Sequence, residues 1–224
     1  MRRFPSPKEI IKLKPDTLTV LNDLIDRYPV LSEVKNRISD AYFILENVYK
    51  TGNKLLVCGN GGSAADCEHI VGELMKKFRK NRPIDQVLYE KLSSFGDEGN
   101  RLQGVLEGSL RAISLTSHPS LTTAFSNDKD PLCAFSQQLY GLANSGDALL
   151  TLSTSGNSEN CVLAATLAKA MGLKTIALTG KKESKLSDLC DVTIKVPETE
   201  TYKTQELHLP VYHALCAMLE EEFF

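Results

Sequence analysis

The sequence predicts an α/β fold, a three-layer αβα sandwich around a five-stranded parallel sheet. Three observations carry the expectation. Five short runs rich in aliphatic and β-branched residues recur at 54–58, 111–115, 148–152, 174–178 and 192–196. They are mostly apolar rather than alternating, as in strands covered on both faces. Helix-like segments separate them, and such alternation implies parallel strands joined by right-handed crossovers.

In chain order, helical patterns near 15–27 and 30–49 precede the first strand. That strand feeds a glycine-rich turn and a helix at 63–80. Residues 84–109 then break the rhythm, being longer than an ordinary connection. Within them Gly96, Asp97, Glu98, Gly99 and Asn100 read as a polar turn. The second strand follows, and then helices at 130–143, 158–171 and 183–189 alternate with the remaining strands. After the last strand a long segment, 201–222, repeats Leu207, Val211, Leu215 and Leu219 every four residues. A five-strand layer offers limited surface to so many helices, so the flanking ones are expected to pack against another copy of the chain. No repeat, low-complexity tract or linker divides the sequence. Residues 1–224 therefore read as one domain, with N-terminal helices in 1–50, an inserted segment at 84–109 and a C-terminal helix in 200–224.

Composition excludes several classes. With 42% hydrophobic residues the chain is expected to fold. A net charge of −2, with both signs mixed, leaves no basic face for nucleic acid. The one basic run, Lys76, Lys77, Arg79, Lys80 and Arg82, reads as a solvated helix end whose cations complement the dipole. The six cysteines are scattered without a CxxC pair, which points to a reducing compartment rather than a disulfide framework. No apolar run approaches the roughly 20 residues needed to span a bilayer. The opening residues 1–7 lead into no apolar segment, so a soluble cytoplasmic protein is expected.

Two turns carry the chemistry. Cys58-Gly59-Asn60-Gly61-Gly62-Ser63 follows the first strand and opens a helix. Its glycines permit close approach of a ligand to the backbone. Ser63 reads as the N-cap, with Asp66 completing something close to a capping box. Free N–H groups and the dipole at such a helix start favour a phosphate or a sugar oxygen. The turn lacks the Gly-Lys-Ser/Thr ending of a P-loop and fits a dinucleotide GxGxxG poorly. Ser153-Thr154-Ser155-Gly156-Asn157-Ser158 follows the third strand in the same way. Hydroxyls and backbone amides can wrap a phosphate dianion without Lys or Arg. In a doubly wound sheet both turns share the carboxyl edge, where ligands bind.

Gly59-Asn60-Gly61-Gly62-Ser63, His69 and Glu73, Asn127-Asp128, the 153–158 turn, Gln205-Glu206 and His213 occur in one order. In this the sequence resembles the phosphoheptose isomerases of the sugar-isomerase, or SIS, fold, over roughly residues 30–222. The resemblance implies a homotetramer that interconverts sedoheptulose 7-phosphate and D-glycero-D-manno-heptose 7-phosphate. It implies phosphate binding by Ser153, Thr154, Ser155 and Ser158. Sugar contacts are implied for Asn60, Gly61, Gly62, Ser63, Glu73, Asn127, Asp128 and Gln205. It further implies one zinc ion per site on His69, Glu73, Gln205 and His213, with Glu73 and His213 as the acid/base pair.

Ketose–aldose isomerisation through an enediol needs a base for the carbon-bound proton and an acid near the carbonyl oxygen. Glu73 is the candidate base and His213 its partner; a zinc ion would polarise the carbonyl. His69 and Glu73 are spaced i, i+4 and share a helix face. Gln205 and His213 are separated by about 12 Å of helical rise, a long reach for one metal. Either the segment is not helical at Gln205, or the two serve different subunits' sites; a site built between chains is the expectation. His208 and Glu206 read as secondary, and His118 as a turn residue. The sequence departs from the family in its longer 84–109 segment and in Tyr202, where some members carry Asp; Glu200 is a nearby substitute. The rival readings are a non-catalytic SIS protein, either a partner of the replication initiator or a sugar-phosphate sensor, and an isomerase of another sugar phosphate.

Overall fold

Five strands form one sheet in the computed structural model, which describes residues 13–224. They are β1 (Leu55–Gly59), β2 (Ala112–Ser114), β3 (Ala148–Leu152), β4 (Lys174–Thr179) and β5 (Val192–Lys195). All neighbours are parallel, in the order β2-β1-β3-β4-β5. Every residue of β1 and β3 is buried, which explains their unbroken apolar pattern. Leu55 and Val57 pack into one core and Leu56 and Cys58 into the other, on opposite faces of the sheet.

The helices are α1 (Pro15–Arg27), α2 (Lys35–Lys50), α3 (Gly62–Met75), α4 (Gln86–Leu92), α5 (Gly96–Val105), α6 (Pro119–Asp128), α7 (Ala134–Leu142), α8 (Glu159–Ala170), α9 (Lys185–Leu189) and α10 (Thr201–Phe223). One core joins the sheet to α2, α3 and α10, with α1 packed outside on α10. The other joins it to α7, α8 and α9. The predicted αβα sandwich is therefore present. Part of the predicted N-terminal region, together with the opening residues 1–7, lies outside the described residues.

Strand order positions the site. β1 is followed by β2 on one side and has β3 on the other, so the chain changes direction across the sheet between β1 and β3. The two polar turns leave these adjacent strands, at the crevice where open α/β sheets bind ligands.

Four expectations need correction. The helix predicted at 63–80 ends at Met75, because Lys76 is extended. The basic run is consequently no solvated helix end: Arg82 is fully buried. The polar turn expected at 96–100 is the start of α5, and α6 was hidden in a sequence rich in Ser, Thr and Pro. Ser63 is not the N-cap of α3; Gly61 is, without a side-chain cap, and Ser63 is buried inside the first turn.

Candidate active site

The second turn is built tightly. The Ser153 and Ser158 hydroxyls lie 2.9 Å apart, and the Ser155 hydroxyl accepts from the Asn157 N–H at 3.1 Å. Gly156 has φ +65°, and a Cβ there would fall 2.1 Å from Ser184 Oγ. Only glycine meets both demands. The turn thus holds a cup of hydroxyls at the end of β3, with Thr154 half-buried and Ser155 exposed.

The first turn is tied to it through carboxamides. Asn60 Nδ2 donates to Asn160 Oδ1 at 2.9 Å, and Asn160 Nδ2 returns a bond to Asn60 Oδ1 at 2.8 Å. Sequence reading missed Asn160, since a lone Asn in a helix's first turn carries no signal of its partner. Gln205 closes the same space from α10. A Cβ on Gly62 would fall 2.8 Å from Gln205 Nε2, so the close approach of this side chain requires the glycine.

Below the turns, α3 and α10 run side by side and bring the titratable groups together. His69 Nε2 lies 3.1 Å from Glu73 Oε1 and 3.4 Å from His213 Nε2. His69 Nδ1 meets the Tyr212 hydroxyl at 3.1 Å, and that hydroxyl donates to Asp66 Oδ1 at 3.0 Å. Glu73 Oε2 makes no hydrogen bond among the described residues and stands 3.5 Å from Lys76 Nζ. Burial, and then the neighbouring His69, push His213 below its ordinary pKa of 6.5, so it is a neutral imidazole at neutral pH. Burial raises Asp66, with the Tyr212 hydroxyl pulling the other way. His213 also borders a groove of about 290 Å3 between α1 and α10, walled by Leu24, Arg27, Arg79 and Pro210.

The end of α3 is fixed by an ion pair that the sequence did not reveal. Arg82 donates from Nη1 to the Leu74 carbonyl at 2.8 Å and from Nη2 to the Glu73 carbonyl at 3.0 Å. These are the orphan acceptors of a helix C-terminus. Its Nε donates to Glu220 Oε1 on α10 at 2.8 Å, and Glu220 also accepts from the Phe78 and Arg79 N–H groups.

Three of the four expected metal ligands therefore meet within one chain. The helix is continuous through Gln205, which rules out an irregular segment there. Imidazole nitrogen and carboxylate oxygen are ordinary zinc donors, and ligands at about 2.1 Å around a tetrahedral centre lie about 3.4 Å apart. The His69–Glu73 and His69–His213 spacings are close to that value. The donor set fits zinc in kind, but it is not a preformed cage. Among the described residues no three His, Cys, Asp or Glu side chains are so arranged, and Gln205 bears on Gly62.

The other expected residues stand apart from this cluster. Asn127 and Asp128 bond each other at 2.9 Å at the exposed end of α6. His118 precedes α6 and bonds Gln138 at 2.9 Å, in keeping with a turn role. Glu206 is exposed. His208 is fully buried, with no hydrogen-bond partner on either ring nitrogen among the described residues. Glu200, the residue before α10, pairs with Lys203, and Tyr202 is exposed.

Two polar turns at the switch point of a parallel sheet, with a His/Glu/His cluster beside them, define a SIS-type protein. A SIS domain model matches residues 130–218, and a second SIS model matches 22–98. The chain is 35% identical to a phosphoheptose isomerase of Akkermansia muciniphila, covering 90% of this chain and 93% of that one. It is 38% identical to a phosphoheptose isomerase of Nitratiruptor sp., covering 87% and 90%. The structure of a phosphoheptose isomerase from Neisseria gonorrhoeae superposes with a TM-score of 0.68 at 28% identity, covering 92% and 93%. The chain belongs to the phosphoheptose isomerase family.

Proposed function

We propose that the protein interconverts sedoheptulose 7-phosphate and D-glycero-D-manno-heptose 7-phosphate as an aldose–ketose isomerase. The observation that carries this reading is the meeting of Glu73, His69 and His213 on the two helices that also frame the turns. The turn at 153–158 takes the phosphate. Asn60, Gly61, Gly62, Ser63, Asn127, Asp128 and Gln205 face the sugar chain.

In the ketose-to-aldose direction Glu73 removes a proton from C1. The C–H electron pair becomes the C1–C2 double bond, while the C2 carbonyl oxygen takes a proton from the His213 side. The resulting enediol then gives up the O1 proton, C1 becomes the carbonyl, and Glu73 returns a proton to C2. Neutral His213 suits a group that must both give and accept. His69, Glu73 and His213, with Gln205 as the fourth candidate, would hold zinc. Bound there, it would polarise the carbonyl and stabilise negative charge on oxygen. A non-catalytic role is disfavoured, because a binding protein has no use for this paired carboxylate and imidazole.

The test is incubation of the purified protein with sedoheptulose 7-phosphate, following aldose formation with and without a chelator. Turnover is expected, and Glu73→Gln and His213→Asn should each lower kcat by about 10²–10⁴-fold. Binding of the sugar phosphate without turnover would overturn the isomerase reading in favour of a sensor. Loss of activity on chelation, restored by zinc, is the result expected of a working metal site.

A further inference from the structure

The geometry points to Tyr212 and Asp66 as a positioning pair that fixes His69 in its Nδ1–H tautomer and aims the Nε2 lone pair at Glu73 and His213. The inference deepens the isomerase reading and rests on it for its consequence, though not for its test.

The assignment follows by elimination. An ionised carboxylate only accepts hydrogen bonds, so Asp66 Oδ1 at 3.0 Å takes the Tyr212 hydroxyl proton. That oxygen is left as an acceptor toward His69 Nδ1 at 3.1 Å. A neutral imidazole carries one N–H, so the donor must be Nδ1 and Nε2 must be bare. The hydroxyl has little freedom to choose otherwise, because Tyr212 is almost wholly buried. Its ring also stands edge-on to both His69 and His213, with centroids 5.6 Å and 4.9 Å away.

The consequence lies on the other side of the ring. A bare Nε2 faces a carboxylate oxygen at 3.1 Å and a second imidazole nitrogen at 3.4 Å. Three electron-rich atoms so close need an electropositive centre between them, whether a proton or a divalent cation. The pair therefore makes His69 an acceptor or a ligand in the cluster and not its proton donor. Hydrogen-bonding the far nitrogen of a ligating histidine is a known way to orient it and raise its basicity.

Nitrogen-15 chemical shifts of histidine-labelled, metal-free protein read the tautomer directly. Native His69 is expected as Nδ1–H. Tyr212→Phe removes one hydroxyl from a packed ring and should release His69 to a mixture of tautomers. It should also weaken Zn(II) binding about 10–100-fold in a titration with the metal alone, with the melting transition still cooperative. Asp66→Asn offers a second route if that variant folds poorly. An amide N–H donated to the tyrosine oxygen would turn the hydroxyl toward His69 and favour Nε2–H. Finding native His69 as Nε2–H, or an unchanged tautomer in both variants, would overturn the assignment. Neither result depends on whether the protein turns over a heptose phosphate, so this inference and the isomerase reading fail separately.

Discussion

At the scale of single residues, the legible part of the site was what composition announces. The turns at 59–63 and 153–158 stood out because few folds tolerate so many glycines and hydroxyls between a strand and a helix. His69 and Glu73 were legible as one face of one helix. Their meeting with His213 was not, since it depends on how α10 lies against α3. His208 was read as secondary, yet it is a buried titratable group with a measurable effect. Burial pushes its pKa down to about 4, from 6.5. The unfolded chain takes up a proton below pH 6.5 while the native side chain stays neutral until about pH 4. The unfolded state thus binds more protons in that window, and stability is lost as pH falls through it. The size is about 3 kcal/mol. Urea unfolding at pH 7 and at pH 4.5 should show His208→Asn losing less stability between the two than the native protein does.

At the scale of elements, the sequence failed where charge was taken as a sign of solvent. Arg82 read as surface because arginine usually is, and only the tertiary fold brings Glu220 to meet it. Burial alone raises the pKa of Glu220, but the Phe78 N–H, the Arg82 guanidinium and the Arg79 N–H outweigh it and hold it below 4.5. Both side chains of the pair are 0% exposed. Removing one partner leaves the other charge buried and unpaired, so Glu220→Ala should cost about 3–5 kcal/mol. Denaturant midpoints would measure it. Replacing both residues by apolar ones of similar volume should cost less than either single change. Helix α6 escaped notice for another reason. Its Ser-Leu-Thr-Thr-Ala stretch carries weak helix propensity, and its Pro119 marks an N-terminus as readily as a turn.

At the scale of the whole molecule, the sheet and its order were within reach of pattern reading, because parallel strands are apolar on both faces. The role of residues 84–109 was not. Helices α4 and α5 bury only Gly99 and leave Val87, Phe95 and Val105 exposed. Such a surface supports the proposed homotetramer, and sedimentation equilibrium should return four copies per particle; a monomer at micromolar concentration would remove it. Among the described residues no helix is long and apolar enough to cross a membrane. The acid/base cluster itself needs no second copy, since His69, Glu73 and His213 belong to one chain.

The path of α10 has a consequence for how the protein is made. Gln205 closes the first turn, His213 completes the cluster and Glu220 anchors the end of α3, and all three follow the fifth strand in the chain. On a ribosome adding about 5–20 residues per second, the glycine turn waits roughly ten to thirty seconds for the helix that covers it. Through that interval α3 exposes Glu73 and His69 without their partner, and Arg82 has no counter-ion. Strands β1 to β5 can pair before the site exists. A nascent chain stalled short of α10 would therefore hold a folded sheet and an unfinished catalytic edge, the state in which a chaperone or a metal carrier would encounter it.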